Sequence, residues 1–383
     1  MNAQVNLIFA LFFNPMAETI QVPLDHADPE SRKITITYHF ENQFDSSRET
    51  IFSIEDPIEK AYQDFELSDS IKAEFNWVKI SGRYFSEDLK KFITENAEGQ
   101  WDKIYTWLNQ NQVAKDIELI RQQILGEGKV TLIGFSSSGE LFLHYLSTHS
   151  ESVNKLLCIN PLLLDVQTNL SFWDLSKSFK NQSTYLSDAE FFDFAYHSSH
   201  DYFNLSPTKR DSLISNSLKE FKLKSSDSIS ISDKFPMSFA VRSFEHIIGL
   251  EQKGNSFDPI SNYLREKSEP IRAGYSQKKF PIMGINYDAG LSFKGDVMIL
   301  GGAFNLLVNP KVVDVLAEFF PESTLILFRD GHSLDKIRRE KEFSDFLLGF
   351  LKNDFEMKVK AYRGLAALNL LFLEKEYNSI RVD

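Results

Sequence analysis

Residues 131–140 read TLIGFSSSGE, an apolar run that breaks into a turn of small residues and is followed by the helix-like stretch LFLHYLS at 141–147. This order predicts a β-strand, a sharp turn and an α-helix, with a serine at the turn. Small residues two before and two after such a serine permit a strained backbone, which leaves the hydroxyl exposed beyond the end of the sheet. The stretch therefore raises the question of which of its three serines is a nucleophile.

The glycines of this stretch select the register of the turn. If Gly134 is the first small residue, Ser136 stands at the apex, Ser138 takes the second small position and Gly139 follows directly. The other register puts Ser137 at the apex and an aromatic side chain at the first small position, where helix and strand approach too closely for a ring. We therefore predict that Ser136 is the nucleophile.

Short apolar runs alternate with segments of helical periodicity at both ends of the chain, as is typical of βαβ units and a mainly parallel sheet. From about residue 161 to 281 the strand-like runs disappear, and aromatic, serine-rich and acidic residues mix in short helix-like pieces. We expect an α/β fold with a mostly parallel central sheet, flanked by helices and interrupted by a helical cap. The expected division is a first core part at 1–160, the cap at 161–281, and a second core part with an extra C-terminal helix at 282–383. The predicted strands are KITITYHF (33–40), ETIFSI (49–54), NWVKIS (76–81), KVTLIGF (129–135), KLLCIN (155–160), DVMILGG (296–302) and STLILFRD (323–330).

Composition limits the partners. With 383 residues, a net charge of −12 and a pI near 5.3, the chain has no broad basic face for nucleic acid or an anionic membrane surface. The single cysteine, Cys158, excludes an intrachain disulfide and a cysteine-based zinc cluster, and GFSSSG lacks the lysine of a phosphate-binding loop. We expect no metal and no cofactor, and a small-molecule or short-peptide substrate.

The N-terminus carries an apolar run from Val5 to Phe13 that is too short to span a bilayer. It also lacks the basic residues that precede the apolar part of a secretory signal. We therefore expect a cytoplasmic protein without a membrane span. Secretion through a weak signal that ends at Ala17 is the alternative that stays open.

A general base for the nucleophile is expected after a late strand of the sheet. In LILFRDGHSLD (325–335), His332 follows a strand and has glycine beside it. None of the other seven of the eight histidines has this placement, and His332 also follows Ser136 in chain order. We predict that His332 takes the serine proton.

Longer stretches resemble a known group of serine peptidases. QVPLDHADPESRKITITYHF (21–40), WVKISGRYFSED (77–88) and KVTLIGFSSSGELFLHYLSTHSESVNKLLCINP (129–161) are similar to the opening, the arginine strand and the serine turn of the prolyl and tripeptidyl aminopeptidase families. MILGGAFNLLVNP (298–310) and the later GHS resemble their acid and histidine loops. The resemblance implies an α/β-hydrolase fold, an acyl-serine mechanism and peptidase or aminopeptidase activity.

The first departure from this pattern concerns the acid. Where these families carry the catalytic aspartate, the chain has Asn305, and an amide does not stabilise the protonated ring of His332. Asp165 stands a few residues after KLLCIN, where some hydrolases of this fold carry their acid, and is the alternative. Asp288 and Asp296 are less favourably placed.

The second departure concerns the oxyanion hole, which needs two backbone N–H donors. One comes from the residue after the nucleophile, Ser137. For the other, the families carry a glycine-rich loop, whereas this chain has IFSIEDPIEKA (51–61), so Ile54 or Glu55 is the candidate donor. A carboxylate at Glu55 or Asp56 would oppose a developing oxyanion.

Candidate substrate contacts come from the serine turn and the cap. In the aminopeptidase families, carboxylates of the cap hold the amino terminus of the substrate, and a solvated acidic helix face explains the same residues equally well. The aromatic residues of the cap line a pocket or form the cap's own core. The candidates are Phe135, Phe172, Trp173, Phe191, Asp188 and Glu190.

These observations favour a serine hydrolase that acts on an amide or ester bond through an acyl-serine. Two alternatives stay open: acyl transfer or cyclisation in the same pocket, and a catalytically degenerate hydrolase fold that binds a ligand or acts by another mechanism. The loss of both the acid and the glycine loop favours the last alternative. The joint presence of Ser136 and His332 opposes it.

Overall fold

The computed structural model describes residues 17–60, 67–162, 187–202, 205–224, 235–252, 259–275, 292–308 and 311–372, together with position 288. Within these ranges every predicted strand is confirmed, and a strand that precedes them is added at the N-terminal side. The strands are β1 (Ala17–Asp25), β2 (Asp28–Phe40), β3 (Thr50–Ile54), β4 (Asn76–Ile80), β5 (Val130–Phe135), β6 (Val153–Ile159), β7 (Asp296–Gly302) and β8 (Thr324–Phe328).

The described strands form one sheet in the order β1-β2-β4-β3-β5-β6-β7-β8. The hairpin of β1 and β2 is antiparallel, and β2 pairs with β4 in the same sense. From β4 across to β8 the strands are parallel. The predicted α/β class with a mostly parallel central sheet is therefore confirmed, and the carboxyl ends of its parallel strands meet at one edge.

Helices connect the parallel strands, and their apolar positions face the sheet. Val113, Ile117 and Ile120 are buried on one face of the helix Gln110–Leu125, which precedes β5, at helical spacing. The α-helices with described bounds are α1 (Pro57–Lys60), α2 (Asp69–Glu74), α3 (Glu87–Asn96), α4 (Trp101–Leu108), α5 (Gln110–Leu125), α6 (Ser137–His149), α7 (Asp188–His197), α8 (Pro207–Lys224), α9 (Pro236–Gln252), α10 (Pro259–Tyr275), α11 (Lys311–Phe319), α12 (Lys341–Leu351) and α13 (Phe355–Ala367).

The segment between β6 and β7 contains helices α7 to α10, and its described residues hold no strand. Three of these helices have 17 or 18 residues, so they are longer than the short pieces that the sequence indicates. The helix α6 packs in the buried layer under the sheet, with Phe142 and Tyr145 fully enclosed. The division into parts at residues 160 and 281 stays a prediction.

Alternate residues of the central strands enter two separate buried layers. Leu132 and Leu156 pack into the layer that contains α5 and α6, whereas Ile133 and Leu157 pack into the layer that contains α12. This alternation follows from the two-residue period of a strand, and it fixes the register of β5 against β6. Among the described helices, none is both long enough and apolar enough to cross a membrane.

Candidate active site

The turn between β5 and α6 has a strained residue at its apex. Ser136 has φ 53° and ψ −126°, a conformation that residues with a Cβ rarely adopt. A Cβ on Gly134 would lie 2.4 Å from Cα of Gly139, so the strand and helix approach as closely as glycine permits. The Ser138 hydroxyl closes the turn, because it accepts from the Phe135 N–H at 2.9 Å and donates to the Phe135 carbonyl at 2.6 Å. Ser136, rather than Ser137, therefore occupies the apex.

The loop after β8 brings His332 to this apex. Its Nε2 atom lies 2.9 Å from Oγ of Ser136. The ring is fully buried beside Phe135 and Tyr196, at ring-centroid distances of 5.3 and 5.0 Å. Burial lowers the pKa of His332 to about 3, with a smaller contribution from His197. The ring is therefore neutral at physiological pH.

The loop after β7 places Asn305 on the other nitrogen of this ring. Nδ2 of Asn305 lies 3.0 Å from Nδ1 of His332 and 3.1 Å from Oδ1 of Asn160. Oδ1 of Asn305 accepts the backbone N–H groups of Leu307 and Val308, each at 2.9 Å. Because the amide oxygen is held on these two donors, the amide nitrogen faces the ring.

This arrangement determines which nitrogen of His332 carries the proton. A neutral imidazole has one donor and one acceptor nitrogen, and Nδ1 accepts from Asn305. Nε2 is therefore protonated and donates to Oγ of Ser136. A general base needs the opposite tautomer, because only an unprotonated Nε2 can take the serine proton. The resting site thus has the geometry of a serine–histidine pair with the hydrogen bond reversed.

The other predicted acids do not contact the ring in the described part of the chain. Asp165 lies outside the described residues. Asp296 is the first residue of β7, at the opposite end of that strand from Asn305, and position 288 is exposed. Asp330, near His332 in the chain, instead accepts three backbone N–H groups of its own loop, from 331, 336 and 337. Asn305 is the predicted residue that the structure brings to His332.

The candidate oxyanion donors differ in their availability. Ser137 is the first residue of α6, where a backbone N–H has no partner within the helix. The N–H of Glu55 donates to the carbonyl of Ile80 at 2.9 Å, so Glu55 does not offer it to a ligand in this structure. Ile54, the last residue of β3, stays the predicted second donor.

The carboxylates that follow β3 are paired with cations. Oε1 of Glu55 lies 3.5 Å from Nζ of Lys79, and Oδ2 of Asp56 lies 2.7 Å from Nε of Arg242. The positive charges of Lys79 and Arg242 therefore reduce the electrostatic repulsion expected between these carboxylates and an oxyanion.

Arg242 joins helix α9 to the start of α6 in a fully buried charge cluster. Besides Asp56, its guanidinium contacts Glu140 at 2.9 Å and Glu245 at 2.6 Å. It also donates to the carbonyl of Ser137 at 3.4 Å. Burial raises the pKa of Glu140 well above its usual value and also raises that of Glu245. This cluster was not predicted from the sequence, although charged residues inside the apolar stretches of α6 and α9 are a signal for it.

The candidate substrate contacts are only partly brought to the site. Phe135 packs against the ring of His332, whereas Phe191 is buried in a separate cluster with residues of α7 and α8. Glu190 closes a capping box with Ser187, because its carboxylate accepts the Ser187 N–H at 2.7 Å. The positions 172 and 173 lie outside the described residues, and α7 begins at Asp188.

Asn160 is a site residue that the sequence analysis missed. It follows β6 directly, with φ 46°, and donates to the carbonyl of His332 at 2.7 Å. Its Oδ1 atom accepts the Gly302 N–H at 2.8 Å as well as the amide of Asn305. A polar residue immediately after a buried parallel strand is the signal that indicates such a position.

A family model described as the alpha/beta hydrolase fold matches residues 76–335. The match spans more than half of the chain, so the chain belongs to the alpha/beta hydrolase fold family. No curated protein matches the sequence. Among the described residues, no group of three His, Cys, Asp or Glu side chains is arranged to hold a metal ion.

Solved structures with a similar fold have low sequence identity. A Mycobacterium tuberculosis protein is 13% identical with a TM-score of 0.49, and the alignment covers 88% of this chain and 99% of that one. A serine hydrolase from Cycloclasticus zankles is 12% identical with a TM-score of 0.46, over 89% and 99% of the two chains. A bromoperoxidase from Bacillus anthracis is 14% identical with a TM-score of 0.43, over 88% and 100%.

Proposed function

We propose that the protein is a serine hydrolase that cleaves an ester or amide bond of a small or peptide-like substrate, with Ser136 as nucleophile. The observation that carries this proposal is the 2.9 Å contact between Ser136 Oγ and His332 Nε2 at a strained strand-to-helix turn. Such strain persists only where the surrounding fold maintains it, and it is typical of functional positions. The family membership supports a hydrolase but leaves the bond type open.

In the proposed reaction, Oγ of Ser136 attacks the acyl carbon while Nε2 of His332 takes the hydroxyl proton. The backbone N–H of Ser137, with Ile54 as the predicted second donor, stabilises the oxyanion. The proton then passes from His332 to the leaving oxygen or nitrogen, and the acyl-serine forms. Water then attacks the acyl carbon while His332 takes its proton, the carboxylic acid leaves, and His332 returns the proton to Oγ of Ser136.

Esters are expected to be better substrates than amides. Attack requires the His332 tautomer that Asn305 disfavours, and the protonated ring lacks a carboxylate partner among the described residues. An amine leaving group depends more strongly on protonation than an alkoxide does, so the weak acid–base pair penalises amides more. The resemblance to aminopeptidases supports a peptide-like substrate, but Glu190 already caps α7.

The test is hydrolysis of short p-nitrophenyl esters and of the matching p-nitroanilides by the purified protein. We expect slow turnover of the esters, loss of turnover in Ser136→Ala, and retention in Ser147→Ala, which changes a serine on α6, the helix that follows Ser136. Hydrolysis by Ser136→Ala at the wild-type rate would refute the proposal. Transfer of the acyl group to an added amine would indicate the acyl-transfer alternative.

The orientation of Asn305 favours a second candidate, which is ligand binding without turnover. With Nε2–H of His332 donating to Ser136 Oγ, the serine hydroxyl is left to donate its own proton to a ligand oxygen. A protein that binds the acid or ester without cleaving it, and that loses this binding in Ser136→Ala, would fit this candidate.

A further inference from the structure

We propose that Asn160 is a positioning residue that fixes the amide of Asn305 and, through it, the tautomer of His332. The proposal rests on the proposed function in one respect, since it assumes that Ser136 is the group to be activated. It adds that the serine is held in an unactivated state by a specific pair of asparagines. The chain of contacts runs from the end of β6 to the loops after β7 and β8.

Asn160 has only one amide orientation that satisfies its neighbours. Its Nδ2 atom donates to the carbonyl of His332 at 2.7 Å, and its Oδ1 atom accepts the Gly302 N–H at 2.8 Å. A reversed amide would set oxygen against oxygen at the first contact and N–H against N–H at the second. Both partners are backbone groups inside the fold, so neither can change its role.

Asn160 then determines the orientation of Asn305. The amide of Asn305 faces Oδ1 of Asn160 at 3.1 Å, so the group at that contact must be a donor. The two backbone N–H groups of 307 and 308 hold the other end as an acceptor. Reversing Asn305 would lose all three contacts at once, in a buried place where unpaired polar groups are unfavourable.

The fixed orientation of the Asn305 amide permits only one neutral tautomer of His332. Asn305 presents an N–H to Nδ1 of His332, so Nδ1 accepts and Nε2 carries the hydrogen. The conformation of Asn160 fits this role, because its φ of 46° lies in the left-handed region that asparagine tolerates better than most residues. Asn160 thus adopts a left-handed conformation at a buried position, from which its amide determines which groups of the network donate and which accept.

The same contact predicts what an acid at position 305 would meet. One oxygen of a carboxylate there would accept the two backbone N–H groups. The other oxygen would face Nδ1 of His332 and would lie 3.1 Å from Oδ1 of Asn160, where the amide nitrogen of Asn305 now lies. Two acceptor oxygens at this distance repel each other, so Asn305→Asp alone is expected to restore little activity. Removal of the Asn160 amide removes the repulsion between these two oxygens. The two positions therefore behave as a unit.

The experiment compares four full-length proteins: wild type, Asn160→Gly, Asn305→Asp and the double variant. Glycine is chosen at 160 because it adopts positive φ without strain. We expect less than about a tenfold gain in ester hydrolysis for Asn305→Asp and about 10² to 10⁴-fold for the double variant, the upper figure being the effect of the corresponding change in a serine protease. Asn160→Gly alone removes one of the two restraints on the Asn305 amide but supplies no carboxylate to the ring, so we expect no gain in turnover from it.

A second readout is independent of activity. In protein labelled with ¹⁵N-histidine, the two ring nitrogens of His332 report which one is protonated, and His332→Gln identifies their signals. We expect a protonated Nε2 and an unprotonated Nδ1 in the wild type. The double variant is expected to show the reverse.

The two readouts separate this inference from the proposed function. A wild-type ring protonated at Nδ1 would overturn the inference, and so would equal gains in Asn305→Asp and the double variant. If the tautomer is as expected and reverses in the double variant, while no protein cleaves any ester, the positioning role stands and the proposed function fails.

Discussion

Nε2 of His332 lies 2.9 Å from Oγ of Ser136, in a pocket where the side chains are 0% and 3% exposed. In the described part of the chain, no carboxylate is hydrogen-bonded to this ring, and an amide occupies its other nitrogen. The pair therefore has the distance of a catalytic dyad without the charge that normally supports an imidazolium. Its protonation behaviour should differ accordingly from that of an ordinary serine hydrolase.

The pH dependence of ester hydrolysis tests this difference. In the proposed reaction a neutral ring is the active form, and the pKa of His332 is lowered to about 3, so the ring stays neutral throughout the physiological range. We expect kcat/KM to show no acid limb between about pH 5 and 8. In the Asn160→Gly/Asn305→Asp variant, a carboxylate would raise the pKa of His332 and bring such a limb into this range. A wild-type limb near pH 6.5 would contradict the account.

The same pKa predicts an effect on stability. An unfolded histidine gains a proton as the pH falls through about 6.5, while folded His332 stays neutral down to about 3. The unfolded state then binds more protons, so the free energy of unfolding decreases as the pH falls below about 6.5. Between pH 7 and 5, His332 contributes about 2 kcal/mol of this decrease. Denaturant unfolding of wild type and His332→Gln at both pH values should show it, and equal decreases in the two proteins would count against a neutral buried ring.

The strain at Ser136 predicts an order of stability between two variants that lack the serine hydroxyl. Glycine adopts φ 53° freely, whereas alanine keeps the Cβ that causes the strain. Both variants lose the contact with His332, so that loss cancels in the comparison. We expect Ser136→Gly to be more stable than Ser136→Ala by about 1 kcal/mol, measured by denaturant unfolding. An alanine variant as stable as the glycine variant would indicate a relaxed turn.

The buried charge cluster predicts a large loss on removal of its single cation. Arg242→Met leaves the carboxyl groups of Asp56, Glu140 and Glu245 without their shared partner. We expect the free energy of unfolding to fall by about 3 to 5 kcal/mol. The deficit should grow as the pH rises, because the carboxyl groups then have to ionise in a buried place.

A matched control for this variant is Arg32→Met. Arg32 lies 3.6 Å from Asp88, with side chains that are 55% and 35% exposed. We expect a change of roughly 0 to 1 kcal/mol there. Similar losses in the two variants would show that burial of the Arg242 cluster has no special effect.

Local pattern was sufficient to predict much of the core. The turn at Gly134 and Ser136 is encoded within six residues, and the apolar strand before it and the helix after it are indicated by their local sequence patterns. The loop of His332 was predicted from its position after a strand. These features depend on neighbours in the sequence, so the sequence alone reveals them.

The remaining features depend on contacts between distant segments. Asn160 meets Asn305 only because β6 and β7 are adjacent in the sheet, which no local pattern specifies. The cluster of Arg242 draws its carboxylates from three segments of the chain. Glu55 was predicted as an oxyanion donor from its place after β3, but the neighbouring strand already accepts its N–H. The pairing of β3 with β4 therefore determines whether the Glu55 N–H is available to a ligand, which the local sequence does not show.

The most direct test of the central claim is covalent labelling of the wild-type protein with a fluorophosphonate, followed by intact mass measurement and peptide mapping. We expect slow addition of one label, at Ser136, with none in Ser136→Ala and a lower rate in His332→Gln. Labelling at another residue, or no labelling of the folded wild-type protein, would contradict Ser136 as the nucleophile at this turn.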